Sequence, residues 1–126
     1  MTENEISAQI LDAAIMVHNE IGGPGVLESY YEQALAYELA IRGLKVETQK
    51  QIPILYKGKE IGPPYRLDML VEGKVIVECK VTETNNPVFI SQIHTYLKLT
   101  GIKLGVLVNF GMRRIVDGYV RVANKL

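Results

Sequence analysis

The stretch that most constrains this chain is Tyr65 to Val81, YRLDMLVEGKVIVECKV. Two apolar runs meet at Glu72-Gly73-Lys74, and three charged residues, Asp68, Glu78 and Lys80, are set into them. Strand side chains alternate between faces. Glu78 and Lys80 therefore share one face, and Val75, Val77, Cys79 and Val81 share the other. In the partner run, Arg66, Asp68 and Leu70 fall on one face and Leu67, Met69 and Val71 on the other. A three-residue loop centred on Gly73 pairs Val71 with Val75 and sets Asp68 opposite Glu78, with Cβ atoms about 5 Å apart. A two-residue loop sends the two acids to opposite faces. Facing like charges are destabilising unless a cation lies between them, and a divalent metal is the natural candidate. The bland alternative is a set of cross-strand ion pairs among Arg66, Asp68, Glu78 and Lys80. The flanking valines, isoleucine and leucines argue for burial, where two acids with one lysine leave a costly surplus of negative charge.

The rest of the chain supplies helices and strands around this hairpin. Ile6, Ile10, Ala13, Ala14, Val17 and Ile21 form a helical stripe over Asn4 to Ile21, capped by Asn4 or Ser7 and ended by Gly22-Gly23-Pro24-Gly25. His18 lies just off the stripe and reads as a packed or surface residue. A second helix spans about Leu27 to Arg42, with Leu27, Tyr31, Ala34, Leu35, Glu38 and Leu39 along one side and Gly43 as its stop. Glu28 sits in its first turn, where an acid suits the helix dipole, and Tyr31 and Glu32 share its face. Lys45 to Tyr56 reads as a strand, demoted to an edge or a bulge by Pro53. Asn86 and Pro87 start a third helix that runs to Thr100, buries Val88, Ile93, Tyr96 and Leu97, and stops at Gly101. Lys103 to Asn109, KLGVLVN, is a buried strand that returns parallel to the Lys74–Val81 strand. The tail, Arg113 to Val122, is a further strand or an Asp117-Gly118 hairpin. Helix, helix, antiparallel strands, helix and strand make an α/β fold, a mixed sheet flanked by helices.

Composition narrows the class further. At 126 residues with 48% hydrophobic content, the chain is expected to form a single domain over 1–126. Lys+Arg and Asp+Glu are both 14, so no net charge advertises a nucleic-acid partner, although a local basic groove fits within a balanced total. Cys79 is the only cysteine, which excludes an internal disulfide and fits the cytoplasm. The acidic start MTENEISAQI is not a signal peptide, and no apolar run reaches membrane-spanning length. Cys79 and His94 lack the further Cys/His partners a zinc site needs.

Asp, nine residues, then Glu-x-Lys has a chemical rationale. Magnesium takes oxygen ligands, commonly one or two carboxylates plus waters, and a neighbouring lysine can orient an attacking water. Here the sequence resembles the PD-(D/E)xK nuclease superfamily. Gly25-Val-Leu-Glu28-Ser-Tyr-Tyr31, then RLDMLVEGKVIVECK, then Gln92-x-x-x-Tyr96, then LGVLVNFG further resemble its small GxxExxY family, over about residues 10 to 111. The resemblance implies a restriction-endonuclease-like fold and a Mg²⁺- or Mn²⁺-dependent phosphodiesterase acting on nucleic acid, DNA before RNA. It also implies Asp68 and Glu78 as metal ligands with the Cys79 carbonyl as another. Lys80 would position the nucleophilic water, Glu28 would complete the acidic cluster from its helix, and Gln92 would bond near the lysine or the phosphate. Cys79 stands where an aliphatic residue is usual, and Pro63-Pro64 lengthens the lead-in. A homodimer is expected, because so small a domain without basic excess has little surface to grip a duplex. The competing class is a non-catalytic binding module that retains the fold.

Overall fold

A computed structural model describes all 126 residues. In chain order the elements are α1 (Glu3–Ile21), α2 (Glu28–Ile41), β1 (Val46–Ile52), β2 (Leu55–Tyr56), β3 (Lys59–Glu60), β4 (Tyr65–Val71), β5 (Val75–Lys80), α3 (Pro87–Thr100), β6 (Leu104–Asn109) and β7 (Tyr119–Ala123). A short 3₁₀ turn, Ile115–Asp117, precedes β7. Five strands form one sheet in the order β1-β4-β5-β6-β7. Only β5 and β6 run parallel, and α3 makes the crossover between them. The expected mixed sheet is thus present, with an antiparallel strand at each edge.

The apolar alternation divides the core in two. Ile6, Ile10, Ala13, Ala14 and Val17 of α1, with Tyr31, Leu35 and Leu39 of α2, pack on Met69, Val71, Val75, Val77, Cys79, Leu104, Val106 and Val108. On the opposite face, Ile93, Tyr96 and Leu97 of α3 cover Leu67, Leu70, Ile76, Leu107 and Val122. Gly105 lets α3 settle there, since a Cβ at that position would stand 2.4 Å from Ile93 Cγ2. Truncating Leu97 to alanine in this layer would cost about 2–5 kcal/mol.

Several local expectations are corrected. The α1 cap is Thr2, in a reciprocal capping box with Glu5, whereas Ser7 is buried against the Tyr119 hydroxyl. Leu27 and Val88 are exposed at 60% and 62%, because each lies at the start of its helix, beyond the packed face. The strand read through to Tyr56 ends at Ile52. Pro53 removes a ladder donor, and Leu55-Tyr56 folds back on Lys59-Glu60 as a separate small hairpin. The tail forms β7 against β6, and Asp117-Gly118 closes the 3₁₀ turn rather than a hairpin.

Candidate metal-dependent active site

The turn joining β4 and β5 fixes the geometry of the site. Glu72 and Gly73 both take positive φ, 56° and 64°, and the Lys74 N–H closes onto the Val71 carbonyl at 3.0 Å. The strands then pair Val71 with Val75, Leu70 with Ile76 and Met69 with Val77. Continued by one step, this register sets Asp68 against Glu78, but the ladder stops before that pair. The strands part, and the two acids occupy the gap. The Asp68 N–H donates to Glu78 Oε1 at 3.1 Å, and the Cys79 N–H donates to Asp68 Oδ2 at 2.9 Å. Each carboxylate thereby satisfies a main-chain donor of the opposite strand that the parted ladder would otherwise orphan. Both groups of a strand residue face the same neighbouring strand, so the Cys79 carbonyl turns toward the same gap as its N–H.

The parting also disturbs β4 on its other side. The β1–β4 register runs unbroken from Val46↔Val71 to Ile52↔Tyr65, yet the Gln49–Asp68 pair is missing from it. Leu67, expected to share a face with Met69 and Val71, instead packs with Leu70 on the α3 side. The alternation fails between Leu67 and Met69, which is where Asp68 sits.

Further charged groups lie around the gap on the flanking elements without closing on it. Glu28 is the first residue of α2, and Glu32 lies one turn along the same face. Lys80, last in β5, extends toward α3 with its Nζ 4.8 Å from the Phe89 ring centroid. Burial is the leading cause that raises the Glu28, Glu32 and Asp68 carboxyls above their ordinary values. The Lys80 charge pulls Glu28 and Asp68 partly back, as do the Val81 N–H for Glu28 and the Cys79 N–H for Asp68. Glu78, only 5% exposed, is pushed up to about 8 by burial and then by the Asp68 charge. With its value at about 8, Glu78 holds its proton at neutral pH, while the Cys79 N–H and the Lys80 charge favour the ionised form of Asp68.

Not every residue expected here takes part. Gln92 is exposed on α3 and makes no hydrogen bond to Lys80 or to the acids. One turn on, Tyr96 is buried edge-on to Tyr65, with ring centroids 5.7 Å apart. Its hydroxyl is pushed up to about 12, by burial first and then by the Glu78 and Asp68 charges. Tyr31 points away from the site. It stacks on Phe110 at 4.5 Å and its hydroxyl accepts the Gly23 N–H at 3.2 Å, pinning the glycine loop between α1 and α2. The Cys79 thiol is buried in the α1–α2 core and its pKa is raised far above a reactive value. Asn109, wholly buried, secures the chain beyond Lys80: its Oδ1 accepts the Thr82 and Gly111 N–H groups, and its Nδ2 donates to Thr82 Oγ1 and Asn85 Oδ1. The sequence assigns Gln49, Tyr96 and Asn109 no role at the site. Only Glu32 left a signal, four residues after Glu28 on the same helical face.

No three His, Cys, Asp or Glu side chains converge into a ready-made metal centre. The donor set still fits a hard divalent cation. Asp68 and Glu78 each accept one main-chain N–H and keep their other oxygen free of main-chain donors, and a magnesium-type ion asks for only one or two carboxylates. A cation there would also offset the burial and the Asp68 charge that otherwise keep Glu78 protonated.

A mixed α/β sheet whose central antiparallel hairpin parts around two buried acids, with a lysine two residues beyond the second, defines a restriction-endonuclease-like fold. The chain belongs to the PD-(D/E)XK nuclease superfamily, whose sequence pattern matches residues 4–122. Members of that superfamily generally use divalent metal ions. Among solved structures, "Crystal structure of SSO0001" aligns with a TM-score of 0.52 and 15% identity, over 100% of this chain and 79% of that one, a likeness of fold. No curated protein matches the sequence.

Proposed function

We propose that this protein is a divalent-metal-dependent phosphodiesterase of the GxxExxY kind that cleaves nucleic acid, DNA in the first instance. The observation that carries this reading is the Asp68–Glu78 pair, buried in a parted hairpin with one lysine at its rim. Asp68, Glu78 and the Cys79 carbonyl would hold Mg²⁺ or Mn²⁺, with Glu28 approaching from α2. When bound, the metal supplies positive charge against the carboxylate pair and against charge developing on the scissile phosphate. With the metal in place Glu78 would be held deprotonated, so both acids would serve as anionic ligands. Lys80 leaves the Phe89 face and donates hydrogen bonds to the attacking water, aligning it with the phosphorus. The apolar walls from Phe89 and Tyr96 keep competing water out. The 126 residues act as one domain in the cytoplasm, and as a homodimer that doubles the surface offered to a duplex.

A non-catalytic module is the second reading, favoured by the balanced charge and by the lack of a third converging ligand. Calorimetric titration with Mn²⁺ and a cleavage assay on plasmid, single-stranded DNA and RNA separate the two. Wild type should bind Mn²⁺ and cleave, and Asp68→Asn should lose both. Binding of DNA with a steep salt dependence but no cleavage in any metal would favour the module. Sedimentation showing only monomer at tens of micromolar would remove the dimer.

A further inference from the structure

Gln49 is the outlier of the sheet. It lies within β1, yet its φ is 52°, in the left-handed region that a non-glycine residue seldom occupies and that a strand interior ordinarily forbids. The β1–β4 register is the same on both sides of it, so no inserted residue forces the turn. Packing does not hold it either, because Gln49 is exposed, beside an open cleft of about 580 Å³ shared with Ser29, Glu32, Gln33, Ala36 and Thr48. What the conformation achieves is an aimed side chain. The Gln49 amide donates to Glu32 Oε1, and from its place across from Asp68 the side chain helps to hold the Asp68 carboxyl down against the upward push of burial. The missing ladder pair is the one between Gln49 and Asp68 themselves. Unfavourable backbone geometry kept without a packing reason is characteristic of positions under functional constraint.

We infer that Gln49 is a positioning residue: its amide ties Asp68 on β4 to Glu32 on α2, setting the Asp68 carboxylate at the parted hairpin and presenting Glu32 as a second helix-borne acid beside Glu28. The inference rests on the metal-dependent reading for its purpose, but the geometry can be tested without it. A cross-strand amide is suited to the task because it adds no charge to a region already overloaded with carboxylates. It donates to Glu32 from a position that faces Asp68, and so joins the edge strand to the helix.

Two substitutions divide the backbone from the amide. Gln49→Met keeps the side-chain length and the unfavourable φ but removes the donors. Gln49→Gly removes the donors and relieves the backbone. Both variants should bind Mn²⁺ about tenfold or more weakly than wild type by calorimetry, while Gln49→Gly melts at or above the wild-type temperature. A residue serving stability alone would give the opposite pattern, a lower melting temperature with unchanged metal affinity, and that result would overturn the inference. The Cys79 amide, bonded to Asp68 Oδ2 at 2.9 Å, is a reporter that needs no metal. Its nitrogen–proton NMR signal should move in both variants of the metal-free protein, while those of Met69 and Val77 stay in place. If wild type binds no Mn²⁺, the metal-dependent reading fails and the Cys79 signal decides the positioning role by itself. An unmoved signal refutes that role, whatever the metal titration shows.

Discussion

Replacing Glu78 by glutamine should make the metal-free protein less sensitive to alkaline pH, and the size of the effect follows from the site. In the unfolded chain the carboxyl titrates near 4.5, whereas in the folded protein it is pushed up to about 8. Between those values the folded state holds a proton that the unfolded state has released. Stability is therefore fully present below about 4.5 and is lost as pH rises to 8, with a limiting slope of about 1.4 kcal/mol per pH unit. Across the whole window the loss approaches about 5 kcal/mol, a large part of the stability of a typical domain. Asp68, Glu28 and Glu32 are raised as well, so they act in the same direction. Glu78→Gln keeps an oxygen for the Asp68 N–H and removes the titration, so this dominant share of the slope should vanish. Urea unfolding in chelator at pH 5.5 and 7.5 should show wild type losing about 2–3 kcal/mol between them and the variant much less. Mn²⁺ should restore wild type more at pH 7.5 than at 5.5, since its ligands must be deprotonated. Wild type equally stable at both pH values, or a variant with an unchanged slope, would show that Glu78 is not the buried, proton-holding member of the pair.

Lys80→Ala should bind Mn²⁺ about as well as wild type while turnover falls roughly 10²–10⁴-fold, as measured by calorimetry beside a cleavage assay. A variant that cleaves normally would remove Lys80 from the chemistry. Asn109→Ala empties a buried position and leaves the partly buried Thr82 and Gly111 N–H groups without their acceptor, so urea unfolding should report a loss of about 1–3 kcal/mol. Tyr31→Phe keeps the stacking on Phe110 and loses only the bond to Gly23, so it should cost about 1 kcal/mol with Mn²⁺ affinity unchanged. A loss of metal affinity there would place Tyr31 in the site after all.

The chain's own residues determine a good deal of this protein. The valine alternation of β5 and the odd-length turn at Glu72-Gly73-Lys74 are local matters, and they set Asp68 across from Glu78 before any helix is placed. The Asn86-Pro87 start and the Gly101 stop of α3 are equally local: the first supplies a cap and a preset φ, the second a left-handed residue. Such features survive in sequence because period, turn and cap chemistry act over a few residues. Other decisions rest with contacts between distant segments. Alternation predicts Leu67 beside Met69, and only the parting of β4 from both neighbours sends it to the α3 side. Gln92 has the right residue type on the right helix, but it stands exposed, while Tyr96 one turn on is the residue buried against Tyr65. The left-handed conformation at Gln49 and the bonds from Asn109 to Thr82 and Asn85 have no local signature at all. Their partners lie 17 to 27 residues away and meet only when the sheet closes, and it is that closure which sets the carboxyl protonation at the site.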